Sequence, residues 1–249
     1  MACAPAAQAI FREVLEGIYS NMEYLPGGLT LQIPPEGFPL STDSLVLAHF
    51  ARLPKNAKVL DLGSGCGTLG LLLCAKSASC HVTGIEIDPA AHEAALHNIA
   101  RNGLEPRMES ICADLRAFVP DHAAFGVCVS NPPYFSGGFA SATHPVARQD
   151  DCCPPELLFA AAGRALNFGG DFFLVHKPEK LAQLITCAAP HGLEAKRLRL
   201  IRHRPEGDVS LILLHFKKGG KTGLSWDEQC LYTSEGEQTP YFKEVYHID

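Results

Sequence analysis

No run of about 18 apolar residues occurs in the chain, so a membrane-spanning helix is not expected. No Cys-x-x-Cys occurs among the ten cysteines, which removes the usual spacing of zinc ribbons and thioredoxin-type redox sites. Apart from the adjacent pair Cys152-Cys153 the cysteines are scattered, and they read as reduced core thiols of a cytoplasmic protein. Positive charge is not in excess. Lys and Arg number 21 against 27 Asp and Glu, a net −6, which excludes a uniformly positive surface and leaves room for a local basic face. Met1 to Gln8 lack the basic start and long apolar stretch of an export signal. His92 and His97 lie five apart, so on a helix they point in different directions and cannot share a metal ion. There is no internal repeat. What remains is core-forming: 249 residues, 47 % hydrophobic and 19 % charged, suit one large domain with small additions.

From Ala57 onward short apolar runs alternate with helical patterns. Val59 to Leu62, His81 to Ile87, Arg107 to Cys112, Phe125 to Ser130 and Asp171 to His176 read as strands. Thr68 to Lys76, the stretch opened by Asp88-Pro89, Pro155 to Leu166 and Pro178 to Ala189 read as helices. Such alternation predicts a parallel sheet with helices on both faces. The end differs. Ala195 to Ile201 and Val209 to Phe216 are joined by too few residues for a parallel crossover, so the last strand is expected to return antiparallel. A seven-stranded, mostly parallel α/β sheet follows. Residues 1–50 read as a preface, 51–220 as the main domain and 221–249 as a tail with little periodicity.

Chemistry gathers where the strands end. The first strand runs into Asp61-Leu62-Gly63-Ser64-Gly65-Cys66-Gly67, where alternate glycines allow a tight turn and close approach of a ligand to the main chain. Glu86 lies about 20 residues further on, where an acid takes ribose hydroxyls. Asp114 suits an adenine amino group or a helix cap; Asp88 suits a cap. These features fit either a dinucleotide or another nucleoside cofactor. The fourth strand ends in Asn131-Pro132-Pro133-Tyr134. Two prolines fix two φ angles and remove two donors, so carbonyls beside the Asn131 amide form an acceptor cluster for an –NH2 group, and Tyr134 offers a flat face to a planar ring. Phe135 suits an extension of that platform or, equally, packing in the core or a lid. Ser136 to Asp151 reads as a lid, with His144 and Arg148 as phosphate contacts. The basic cluster around Arg199 and Arg202 reads as a strand edge able to meet RNA.

Together these residues resemble the class I methyltransferases, which have a Rossmann-like fold and use S-adenosyl-L-methionine. The antiparallel final strand is also that family's mark. A narrower resemblance, carried by Phe38 to Leu47, Val175-His176-Lys177-Pro178, Phe216 to Gly220, Tyr232-Thr233 and Tyr241 to Tyr246, is to bacterial adenine N6-methyltransferases acting beside the anticodon of a valine tRNA. It implies Asn131, Pro132, Pro133 and Tyr134 as the catalytic corner. It implies Thr42 and Asp43 at the methionine end of the cofactor, and Asp61, Gly63, Ser64, Gly65, Gly67, Glu86, Ile87, Asp114, Leu115 and Asn131 around the rest. Residues 1–50 would cap that site, and a tail packed on the same domain would follow. The partner implied is RNA, a tRNA above all, without a membrane or metal; the oligomeric state is open, with a monomer favoured. The same corner occurs in enzymes that methylate a glutamine amide; those carry a helical N-terminal domain for which the preface is short. A nicotinamide oxidoreductase leaves Asn131 to Tyr134 unexplained, and a non-catalytic RNA-binding protein leaves Asp61, Glu86 and Asn131 without a purpose.

Overall fold

The computed structural model describes residues 21–34, 39–120, 124–133 and 153–247. Asn21–Tyr24 (β1) and Thr30–Ile33 (β2) make an antiparallel hairpin, and Thr42–Phe50 (α1) follows. Lys58–Leu62 (β3), Thr68–Lys76 (α2), His81–Glu86 (β4), Pro89–Arg101 (α3), Met108–Cys112 (β5) and Phe125–Ser130 (β6) form the first half of the main unit. Pro155–Ala165 (α4), Leu166–His176 (β7), Leu181–Ala188 (α5), Leu193–Arg202 (β8) and Val209–Lys218 (β9) form the second, and Ser225–Cys230 (β10) and Pro240–Tyr246 (α6) close the chain. The large sheet runs β10-β8-β9-β7-β6-β3-β4-β5. Strand β9 is antiparallel to both neighbours, and the other pairs are parallel.

Local chemistry explains the elements that position the site. Val59 and Leu60 are both fully buried although they face opposite ways, as a central parallel strand requires. Asp88 caps α3 by accepting from the Ala90 amide at 3.0 Å, with Pro89 at the first helical position. Helix α1 starts at Ser41 and is capped at its far end from outside. Lys76 Nζ donates to the carbonyls of Ala48, His49 and Ala51 at 2.8, 2.8 and 2.6 Å, where a cation suits the helix dipole. Burial lowers the Lys76 pKa to about 8. One apolar cluster joins α1, α2, α3, α6 and the hairpin to one face of the sheet; a second joins α4 and α5 to the other. Cys66, Cys74, Cys80, Cys128 and Cys187 are buried free thiols within these clusters or at their margin. No helix among the described residues is long and apolar enough to cross a membrane.

Three expectations are corrected. The sheet has eight strands rather than seven, because the tail contributes β10, parallel to β8. Strand β7 begins at Leu166 rather than Asp171, with an irregularity inside it, Gly169 at φ +79° and a register shift between Phe125 and Val127. Arg199 and Arg202 do not lie on a sheet edge, since β10 and β9 flank β8. Arg199 Nη2 donates to Asp227 Oδ2 at 2.9 Å, Arg197 shares that carboxylate at 3.0 Å, and the Arg199 guanidinium lies over Phe50 (5.7 Å) and Tyr241 (5.3 Å). Arg202 is held by Glu228 at 3.0 Å and by the Gly207 carbonyl. Both arginines fasten β10 to β8. With only 11 % of its side chain exposed, Arg199→Glu should lower the unfolding free energy by about 3 kcal/mol. Urea denaturation checks this, and an unchanged midpoint would show the pair to be ornamental.

Candidate active site

The C-terminal ends of β3, β4, β5 and β6 meet on one side of the sheet, the side on which open α/β sheets place ligands. The β3 loop turns there on three glycines in the left-handed region: Gly63 (φ +73°), Gly65 (φ +54°) and Gly67 (φ +87°). A Cβ on Gly63 or Gly65 would meet nothing within 4 Å, so the loop has an open side. Gly67 differs, because its Cβ would lie 3.0 Å from Met108 Cε. The loop is clamped from β4. The amides of Gly63 and Ser64 donate to the Ile85 carbonyl at 2.9 and 3.0 Å. Glu86 Oε2 accepts from the Gly65 amide and Glu86 Oε1 from the Asp88 amide, both at 2.8 Å.

Asp61 stands beneath this loop, 1 % exposed. Its Oδ2 and the neighbouring Ser64 Oγ are buried without a hydrogen-bond partner. Burial, and then the Glu86 charge, raise the Asp61 pKa from 3.8 to about 7, against the opposing pull of the Gly70 amide. In the unfolded chain Asp61 titrates near its ordinary value, so between about pH 4 and pH 7 the folded protein holds a proton that the unfolded chain has lost. This contribution to stability is complete below about pH 4 and is lost as pH rises through about 7. The ligand-free protein should therefore lose about 4 kcal/mol across that interval relative to Asp61→Asn. Urea unfolding of both proteins at a series of pH values measures the difference; a difference growing in the opposite direction contradicts the assignment.

Gly63, Glu86, Ile87, Asp114 and Leu115 line one small cavity of about 50 Å³, closed by Cys153 and Leu157. Ile87 is 48 % exposed and offers an apolar edge, while Leu115 is buried. Asp114 is paired with Arg116 (2.6 Å) and accepts from the Arg116 amide at 2.8 Å, which holds its carboxyl below the ordinary range. Its carbonyl accepts from Ala117 and Phe118 as a turn begins. Sequence reasoning missed Cys153 and Leu157, which reach the cavity only because the segment opening α4 folds back over β5's end.

At the end of β6, Ser130 Oγ donates to the Leu62 carbonyl at 2.7 Å, tying β6 to the root of the glycine loop. Pro132 is buried and Pro133 exposed. Asn131 Nδ2 donates to Ser44 Oγ at 3.0 Å, which sets the carboxamide's orientation with Oδ1 on the opposite side of the group. Asp43 lies in the same first turn of α1, and Thr42 Oγ1 shares a 2.7 Å hydrogen bond with the Tyr246 hydroxyl. Ser44 and Tyr246 are positioning residues to which the sequence analysis gave no role of their own. His176 ends β7, its Nδ1 accepting from the Lys177 amide at 2.8 Å, and burial lowers its pKa to about 4, so the imidazole is neutral. His92 meets Ser110 and His97 meets Gln32, at 2.8 and 2.7 Å. Tyr134, Phe135, His144 and Arg148 lie outside the described residues.

A family model described as methyltransferase small domain matches residues 41–186, from the first turn of α1 through β7 into α5. The chain belongs to the methyltransferase small domain family. The match takes in the glycine loop, Glu86, Asp114 and the Asn131 corner. This methyltransferase is 29 % identical over 205 residues to a Photobacterium profundum protein named tRNA1(Val) (adenine(37)-N6)-methyltransferase, covering 80 % of this chain and 85 % of that one. A Bacteroides fragilis protein of the same name is 28 % identical over 181 residues, with 71 % and 76 % covered. Among solved structures, a predicted O-methyltransferase from Agrobacterium tumefaciens superposes with a TM-score of 0.70 at 20 % identity, covering 83 % of this chain and 96 % of the other. A T. thermophilus 16S rRNA methyltransferase in complex with AdoMet and guanosine gives 0.57 at 23 % identity, covering 80 % and 50 %. Both share the fold of this chain.

Proposed function

We propose that this methyltransferase moves the methyl group of S-adenosylmethionine to the exocyclic N6 of an adenine in tRNA. The relatives' shared name supports the substrate. The observation that carries the chemistry is the Asn131 corner, oriented by Ser44 and tied through Ser130 to the glycine loop. When bound, S-adenosylmethionine supplies an electrophilic methyl on a sulfonium, so no residue has to activate a leaving group.

The residues fit that group. Gly63 and Gly65 leave a cradle that a Cβ would fill. The partnerless Asp61 Oδ2 and Ser64 Oγ are buried polar atoms that a polar group of the cofactor would meet. Glu86 would take ribose hydroxyls, Ile87 and Leu115 would flank the adenine ring, and Asp114 would accept from its amino group. Thr42 and Asp43, with Gly67 closing the loop, would hold the methionine end. On this reading the preface, residues 1–50, caps the cofactor site, residues 51–220 carry the chemistry and residues 221–249 brace α1.

An aromatic amine is a weak nucleophile because its lone pair is delocalised into the ring. Asn131 Oδ1 and the Pro132 carbonyl would accept its two hydrogens and favour a pyramidal nitrogen, its lone pair held toward the transferable methyl. Pro133 keeps the turn rigid and Tyr134 stacks on the base, contributing on the order of 1–3 kcal/mol. Phe135 would extend the stack and Arg148 would meet phosphate. No strong base is needed, since the proton can leave after transfer. The test is incubation of the protein with methyl-labelled S-adenosylmethionine and unmodified tRNA, then digestion to nucleosides. Label in N6-methyladenosine is expected. Label only in a protein glutamine, or none in any acceptor, overturns the reading.

A further inference from the structure

A second cavity, of about 300 Å³, opens on the other side of the first turn of α1. Leu25, Leu40 and Leu45 give it an apolar floor, and Tyr24, Tyr246 and His247 stand around it. Tyr24 leaves 80 % of its surface in solvent, an unusual place for a large ring that has no other task. Tyr246 is braced from behind. It stacks on Phe242 at 4.1 Å and 11°; Phe242 contacts Tyr232 at 5.1 Å and Tyr232 contacts His203 at 4.7 Å. Its hydroxyl is fixed to Thr42.

We infer that this cavity takes a second nucleobase of the RNA substrate, one adjacent to the target adenine. The inference rests on the reading of the preceding section and extends it. Three observations favour a base over another occupant. Aromatic side chains stand around it, its floor is apolar, and its position is coupled to the reacting corner. Thr42 touches Tyr246 while Ser44, two residues on, touches Asn131. Both contacts come from the first turn of α1, though from different sides of it, so a base flanking the target adenine in a splayed loop would enter the cavity around that turn. Stacking tolerates any base, so the cavity would add affinity and register without reading sequence.

The test uses the full chain and stem-loop RNAs bearing the target adenine, either intact or abasic at one flanking position. Tyr24→Ala should raise KM for the intact stem-loop about tenfold, while Tyr24→Phe keeps the wild-type KM. An abasic residue at one flank should raise the wild-type KM by a similar factor, and on that RNA Tyr24→Ala should add nothing. If wild type methylates the stem-loop but neither flank matters, or the two losses multiply, the cavity assignment is wrong and the proposed function stands. If wild type binds S-adenosylmethionine yet methylates no adenine in any RNA, the proposed function fails and takes this inference with it.

Discussion

Asn131→Ala is expected to lower the rate of methyl transfer from the saturated complex roughly 100- to 1,000-fold. Affinity for S-adenosylmethionine should stay within about twofold. The reason is positional. Ser44 takes the donor end of the Asn131 carboxamide, so the oxygen is the part that alanine removes from the reacting amine. Loss of the Ser44 contact costs about 1 kcal/mol of stability. Asn131→Asp should retain more activity than Asn131→Ala, because an acceptor remains and the Ser44 hydroxyl can donate to it. Rate and cofactor affinity measured on one preparation separate the cases. Equal losses in both would make Asn131 a cofactor residue and nothing more.

Glu86→Ala should produce the opposite pattern, weakening S-adenosylmethionine binding by about 100-fold with the acceptor corner left intact. Two charge-assisted hydrogen bonds hold the Gly65 and Asp88 amides, and hydrogen bonds to a charged group are each worth about 1.5–3 kcal/mol. Without the carboxylate the loop loses its clamp and the ribose its acceptor. Isothermal titration reads the affinity. The variant carries a second signature, because the Glu86 charge is one cause of the high Asp61 pKa. Removing it should move the pH dependence of stability to lower pH. A variant that binds the cofactor normally and keeps the Asp61 titration in place would remove Glu86 from the account.

Much of the fold was legible because the signals were local. The glycine loop, the Asp88-Pro89 start of α3 and the short β8–β9 connection each state their conformation within a few residues. Strand β10 was not legible for the same reason. Its one large apolar side chain, Trp226, is 69 % exposed, so no alternation marks it, and it is fastened by the Arg199–Asp227 pair across 28 residues. The basic cluster misled because a guanidinium that stacks on Phe50 looks the same in sequence as one that meets phosphate. At the site, the carboxylates and glycines were readable from chemistry. Their supports were not, since Ser44 meets Asn131 across 87 residues and Thr42 meets Tyr246 across 204. Such contacts exist only after the hairpin, α1 and α6 have packed on one face of the sheet.

A crystal structure with S-adenosylhomocysteine and an adenine-bearing stem-loop measures the central geometry directly. The account predicts the adenine amino nitrogen within hydrogen-bond distance of both Asn131 Oδ1 and the Pro132 carbonyl, on the side of the corner that faces the cofactor's sulfur. An adenine bound elsewhere, with Asn131 Oδ1 turned back onto the protein's own backbone, would contradict it.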